Sequence, residues 1–183
     1  MSIARMVTGL TRHLAALKRL PRAGWLQRGV ASPESVADHS YGVALLALLA
    51  GDLVDGVDSA RLLRLALLHD LGEALLTDLP ASASALFGKE AKRDAERAAL
   101  AAVLGKHPRA AEYLALWQEY AEGASREARL LKALDRVELL MQALSYERAG
   151  SRDLAEFWAG DELTEFPALA EAVAALRAAR PAA

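Results

Sequence analysis

The chain has 183 residues, enough for one domain with a sizeable core and too few to require two. Alanine and leucine dominate, aromatics are only 5% and cysteine is absent, which favours an all-helical protein and excludes disulfides, thiol nucleophiles and cysteine-ligated metal sites. A formal net charge of −2 argues against binding nucleic-acid polymers or anionic membranes, both of which need a basic surface.

The N-terminus lacks a basic stretch followed by an apolar segment and a small-residue cleavage site. The longest strongly apolar run, Val43–Ala50, is far short of the roughly 20 residues of a spanning helix. These features predict a soluble, cytoplasmic protein with no membrane partner.

Apolar residues recur at helical spacing through Ile3, Met6, Val7, Leu10, Leu14 and Leu17, predicting a first amphipathic helix over Ile3–Leu20 that ends at Pro21. The next stretch, PRAGWLQRGVASP, reads as a loop carrying two arginines and a tryptophan. On its own it is more simply a connector with solvated arginines than a ligand loop. Ser32-Pro33-Glu34 has the order N-cap, proline, acidic first turn, which predicts a helix from there to about Val54 with His39 inside it.

Asp58 or Ser59 can cap the following helix, whose apolar pattern from Leu62 to Leu76 leaves no wet face apart from Arg64 and the group His69, Asp70 and Glu73. An ionised carboxylate buried without partners costs several kcal/mol, so Asp70 must be paired, hydrogen-bonded or metal-bound. On a continuous helix His69 and Glu73 share a face at i and i+4, which places Glu73 to handle a proton or a water near an ion held by His69 and Asp70. Pro80 then stops the helix and leaves Asp78 on the loop at its end. With a short Gly/Asp turn between them, the two histidine-bearing helices are expected to lie antiparallel and adjacent.

Residues 82–88 read as a small-residue loop, Lys89–Leu104 as a charged surface helix and Pro108–Gly123 as another helix. Ser125 caps a long helix whose stripe of Leu130, Leu134, Val137, Met141 and Leu144 should face the core. Asp135 flanks that stripe, and is either paired with Arg136 or Lys132 at the surface or turned inward. Two closing helices, Asp153–Gly160 and Pro167–Arg180, and a frayed Ala/Pro tail complete a single domain over residues 1–183, with its core over about 3–150. His13 and His107 have no acidic or histidine company in their own segments and receive no role.

Four candidate metal ligands remain, His39, His69, Asp70 and Asp135. Two imidazoles with two carboxylates suit a divalent Mn, Co, Ni, Fe or Zn better than Ca or Mg, which prefer all-oxygen shells. The His-Asp doublet alone is a weak signal. The ordered set H…HD…D is much more specific, and with it the sequence resembles the HD-domain metal-dependent phosphohydrolases, in particular their 5′-deoxynucleotidase branch.

The likeness rests on LKRLPRAGW (17–25), PESVADHSYGVA (33–44), LALLHDLGEALLTDLP (65–80) and ALWQEYAEGASREARLLKALDRVELLMQALSYE (115–147). It implies an HD-domain helical bundle with metal ligands at His39, His69, Asp70 and Asp135, and catalytic carboxylates at Glu73 and Asp78. It also implies substrate contacts from Arg22 to phosphate and from Trp25 to the sugar. The activity implied is hydrolysis of deoxynucleoside 5′-monophosphates to deoxynucleoside and phosphate, in a protein that can form a homodimer. The alternatives are an HD phosphohydrolase acting on a cyclic nucleotide, a nucleoside triphosphate or another phosphoester, and a non-catalytic metal-stabilised nucleotide-binding module. Glu73 and Asp78 speak against the last, because a structural ion needs only its four ligands.

Overall fold

Helix α1 (Ile3–Leu17) begins where the Ser2 side chain accepts the Arg5 amide, in a computed structural model that describes residues 2–160 and 163–181. The helix stops three residues before the expected end, because the amides of Arg19 and Leu20 both turn back to the Ala16 carbonyl at 2.9 Å. Residues 20–22 then run extended against residues 34–36. The Arg22 amide donates to the Glu34 carbonyl, the Val36 amide donates to the Leu20 carbonyl, and Pro21 bridges Ser35. Between these pairings the expected loop contains a short helix, α2 (Ala23–Gln27), wrapped around a buried Trp25.

The extended pairing also overturns the expected start of the next helix. Pro33 and Glu34 are held outside it, and α3 (Val36–Gly51) is capped by Ser35, not Ser32. Ser35 Oγ accepts the Asp38 amide while the Asp38 carboxylate accepts the Ser35 amide at 2.9 Å, a reciprocal capping box. The buried face of α3 consists of Val36, His39, Val43, Ala44, Ala47 and Gly51, so His39 sits inside an otherwise apolar stripe. On its other face Tyr41, Leu45, Leu48 and Leu49 are exposed.

Asp58 caps α4 (Ser59–Leu68), and α3 and α4 pack side by side. The single helix expected over Leu62–Leu76 is broken. Helix α4 ends at Leu68, residues 69–72 form tight turns, and α5 (Glu73–Leu76) is one turn long. Two local causes are visible. His69 Nδ1 lies 2.7 Å from the Ala66 carbonyl, the acceptor that the next helical amide would have used. Gly72 lies against the backbone around Glu96, so near that a Cβ there would come within 3.0 Å of the Glu96 carbonyl oxygen.

The expected small-residue loop after Pro80 is instead helix α6 (Ala81–Phe87). Alanine's helix propensity prevails there over the serines' preference for turns. Helices α7 (Lys89–Leu104) and α8 (Ala110–Glu122) follow, α8 ending at Gly123 in the left-handed conformation. The long α9 (Arg126–Arg148), capped by Ser125, packs against α3, α4 and α8.

The buried face of α9 includes Leu130, Leu134, Val137 and Leu144 as expected, but Met141 is 46% exposed. The burial advances through Leu140 and Ala143, because a second cluster of Trp25, Val30, Leu154, Trp158 and Val173 packs on that side. The first closing helix is a single 3₁₀ turn at Ala155–Trp158, and the second is α10 (Pro167–Ala178). The last two residues of the Ala/Pro tail lie outside the described residues. Among the described residues no helix is long and apolar enough to cross a membrane.

Because Ser35 and not Ser32 carries the cap, Ser35→Ala should cost about 1 kcal/mol in denaturant unfolding. Replacing exposed Ser32 by alanine should change stability by less than about 0.5 kcal/mol.

Candidate metal centre

His39, His69, Asp70 and Asp135 come from α3, the break after α4 and α9, and they converge. His39 Nε2 lies 3.2 Å from Asp135 Oδ1 and 3.6 Å from Asp70 Oδ2, while His69 Nε2 lies 3.2 Å from the same Asp70 oxygen. The two imidazole rings meet edge to face at 5.6 Å. Each is held from behind through Nδ1, His39 by Glu138 Oε2 at 2.6 Å and His69 by the Ala66 carbonyl at 2.7 Å. Trp117 Nε1 donates to the His69 carbonyl and fixes the backbone there.

Both Nε2 atoms are buried and neither makes a hydrogen bond with proper geometry. One donor atom from each of His39, His69 and Asp70 falls within 4.8 Å of the others, and Asp135 reaches the same spot beside His39. Buried polar groups of this kind are normally partnered. Two unpartnered imidazole nitrogens aimed between carboxylates make a nitrogen–oxygen donor set that fits a divalent transition-metal ion.

The electrostatics follow from the packing. Burial disfavours ionisation of Asp70, yet His69, Arg22 and His39 outweigh it and hold the carboxyl well below its ordinary range. Asp135 is lowered in the same way, burial being overcome by His39 and His69. Burial likewise opposes charging of His39, but Asp135 and Glu138 raise its pKa to about 10.

Arg22 Nη1 lies 3.4 Å from Asp70 Oδ2. Burial works against its charge, but Asp70, Asp78, Asp135 and Glu73 sustain it. Glu73 does not share a helix face with His69 as expected, since the chain turns between them, but it still borders the cluster. Its Oε2 is buried without a hydrogen bond, and burial, with Asp70 and Asp78 adding to it, raises the carboxyl to about 10. Asp78 Oδ2 accepts the Ala23 amide at 2.5 Å, which ties the turn after α5 to the loop bearing Arg22. Preceding it, Thr77 takes φ 75° and ψ 163°, a region that β-branched residues rarely enter.

Trp25 is the sequence-predicted site residue that the structure places elsewhere. The ring is 2% exposed, packs on Phe157 and Tyr146, and donates through Nε1 to Glu34 at 2.8 Å. Packing and hydrogen bonding thus both anchor the Arg22 loop, and the expected sugar contact stays an expectation. Arg28 is also turned away, in an ion pair with Glu156.

Two residues near the cluster were missed from sequence. Glu138 stands three residues after Asp135 on α9, and that i, i+3 spacing of two acids beside a buried stripe was the available signal. Tyr120 donates to Asp135 Oδ2 at 3.3 Å with its ring 5.6 Å from that of His69. Beside the cluster opens a cavity of about 540 Å³, bordered by Arg22, Asp135, Lys132, Arg136, Leu139 and Phe166.

A family model described as HD domain matches residues 14–173. The human 5′-deoxynucleotidase HDDC2 is 37% identical over 146 residues, 79% of this chain and 70% of that protein. The fission-yeast (Schizosaccharomyces pombe) 5′-deoxynucleotidase hdd1 is 34% identical over 156 residues, 80% of this chain and 77% of that one. Among solved structures, a conserved hypothetical protein from Pyrococcus furiosus superposes with a TM-score of 0.80 at 39% identity, covering 94% of this chain and 99% of that chain. A predicted metal-dependent phosphohydrolase from Magnetospirillum magnetotacticum gives 0.71 at 26% identity, covering 96% and 91%.

Thr77 invites a direct test. Thr77→Gly removes the steric conflict at this backbone position and should leave the protein as stable as the parent or more stable by about 1 kcal/mol in denaturant unfolding. A clear loss of stability would show that the threonine side chain, not its backbone conformation, governs this turn.

Proposed function

The chain belongs to the HD-domain phosphohydrolases, and from this we propose that it is a metal-dependent 5′-deoxynucleotidase, hydrolysing deoxynucleoside 5′-monophosphates to deoxynucleoside and phosphate. The observation that carries the chemistry is the pair of buried, unpartnered Nε2 atoms of His39 and His69 directed between Asp70 and Asp135. The curated relatives named 5′-deoxynucleotidases support the substrate.

In this reading His39, His69, Asp70 and Asp135 hold a divalent ion, Mn, Co, Ni, Fe or Zn. When bound, such an ion polarises phosphoryl oxygens and lowers the pKa of water at the site. Arg22 offers a planar fork to the phosphoryl oxygens and offsets the charge that develops on them. It stands 3.4 Å from Asp70, so the phosphoryl group is drawn to the edge of the cluster.

Glu73 and Asp78 are the proton carriers. One accepts from the attacking water and the other donates to the departing 5′ oxygen of the deoxyribose. Glu73 keeps its proton while Asp70 and Asp78 are its dominant charged neighbours, and positive charge added at the cluster favours its release. Asp78 is aimed by the Ala23 amide, which joins proton transfer to the placement of Arg22. Trp25 acts by stiffening that same loop, and a nucleoside fits the adjoining cavity, whose Leu139 and Phe166 offer apolar walls.

Lys132 and Arg136 border this cavity, which adds cationic character beyond Arg22 and favours one second reading, a nucleotide with more than one phosphate. A substrate panel separates the two. Metal-stripped protein reloaded with Mn(II) or Co(II) should release phosphate from deoxynucleoside 5′-monophosphates in preference to triphosphates and cyclic nucleotides. His69→Ala and Glu73→Ala should each lose at least about 100-fold of that activity. Intact hydrolysis in either variant would overturn the assignment.

Metal loading should also displace protons. His39 holds one up to about pH 10 in the metal-free protein, so titration with Mn(II) should release protons, and apparent affinity should rise with pH across the neutral range. Calorimetric titration in two buffers of different ionisation enthalpy measures this directly.

A further inference from the structure

The residues behind His39 form a built arrangement that the functional reading leaves unused. Glu138 is buried on α9, and its Oε2 meets His39 Nδ1 at 2.6 Å. A carboxylate can come so near to α3 only because residue 42 is glycine. A Cβ at Gly42 would stand 2.6 Å from Glu138 Oε1, 3.0 Å from its Cγ and 3.2 Å from its Cδ. Gly42 follows His39 by three residues and therefore lies on the same face of α3, one turn along. Gly42 has an ordinary helical backbone, with φ outside the left-handed region, so its role is the space it leaves open.

We infer that Glu138, lodged in the notch left by Gly42, is a positioning residue that fixes His39 as the Nδ1–H tautomer and presents its Nε2 to the metal. This rests on the metal assignment proposed above. Nδ1 donates to the carboxylate, so the lone pair of the neutral ring is confined to Nε2, the atom that is buried, unpartnered and directed at Asp70 and Asp135. Glu34, His39 and Glu138 also bring donor atoms within 4.8 Å of one another. All three groups are already engaged, His39 Nδ1 with Glu138 and Glu34 with the Trp25 indole at 2.8 Å, which makes this the back of one site and not a second one.

The position also explains why the carboxylate is there at all. The His69 ring finds a backbone carbonyl one turn back along its own segment, at Ala66. His39 lies within α3, where the carbonyls around it take part in the helix's own hydrogen bonds. Its support must come from another element, and α9 supplies it three residues after Asp135. One turn of α9 thus contributes both a residue at the metal cluster and the orienting group for a histidine on the opposite side.

The test measures Co(II) binding in the full-length protein by chelator competition, with the Co(II) visible spectrum as a second readout. Glu138→Ala should weaken Co(II) binding by about 10- to 100-fold, whereas Glu138→Gln, which keeps an acceptor for Nδ1–H, should recover most of that loss. Gly42→Ala, which drives the carboxylate out of its notch, should weaken binding similarly. Combined with Glu138→Ala it should do no further harm, since both changes remove the same contact. In the Zn(II)-loaded protein, long-range ¹H–¹⁵N spectra should show His39 protonated at Nδ1. Wild-type affinity in Glu138→Ala, additive effects in the double variant, or a proton on Nε2 of His39 would each overturn the inference and leave the metal assignment standing. Wild-type protein that binds no Co(II) would overturn both. Should Glu138→Ala fail to fold, the comparison of Gly42→Ala with Glu138→Gln and the tautomer measurement decide the matter.

Discussion

Everything at the centre of this protein answers to one electrostatic constraint, the partial burial of two carboxylates, Asp70 and Asp135, against the same histidine, His39. Removing a carboxylate from water costs several kcal/mol when nothing compensates, a large share of the 5–15 kcal/mol that holds a typical domain together. The chain meets this cost from three directions. Arg22 brings a permanent positive charge, the two imidazoles bring groups that can carry either a proton or a cation, and Tyr120 donates a hydrogen bond to Asp135. His39, whose pKa its carboxylate neighbours raise, must give up a proton before its ring can bind a cation.

The scaffold serves this constraint by giving up regular structure where the site requires it. The antiparallel contact of residues 20–22 with 34–36 holds Arg22 beside the first turn of α3. The Trp25 indole, turned into the core and bonded to Glu34, locks the same loop from below. Interruption of the second histidine-bearing helix allows His69, Asp70 and Glu73 to be directed by turn geometry and not by a fixed 100° step. The strained Thr77 backbone completes that sequence of turns and delivers Asp78 to the Arg22 loop.

Much of this was readable in the residues themselves. His69 and Asp70 stood out because polar groups in an apolar helical run demand partners, His39 joined them only through the second histidine-bearing helix, and the capping residues of α4 and α9 followed from ordinary start signals. The helix break did not show, because the apolar pattern continues straight through it and the causes are the His69 ring's competition for a carbonyl and the approach of α7 to Gly72. Ser35 was passed over for Ser32, although Ser35 and Asp38 carry the reciprocal capping pattern. The deciding interaction was pairing with residues distant from that helix. Glu138 was missed because a glutamate near the edge of an amphipathic helix is commonplace, and its burial depends on a glycine almost a hundred residues earlier.

The spread of the cluster along the chain bears on how the protein folds. His39, the His69/Asp70 pair and Asp135 lie in three stretches separated by about 30 and 65 residues, so no local segment can assemble the site in advance. A cation that needs all of them has little affinity for partly folded forms and adds its binding energy to the fully docked state alone. In the proposed reading, metal supply would govern how often the whole bundle opens, more than how any one helix frays. In a cell poor in the right ion, turnover of the protein would report that shortage as faithfully as loss of its chemistry.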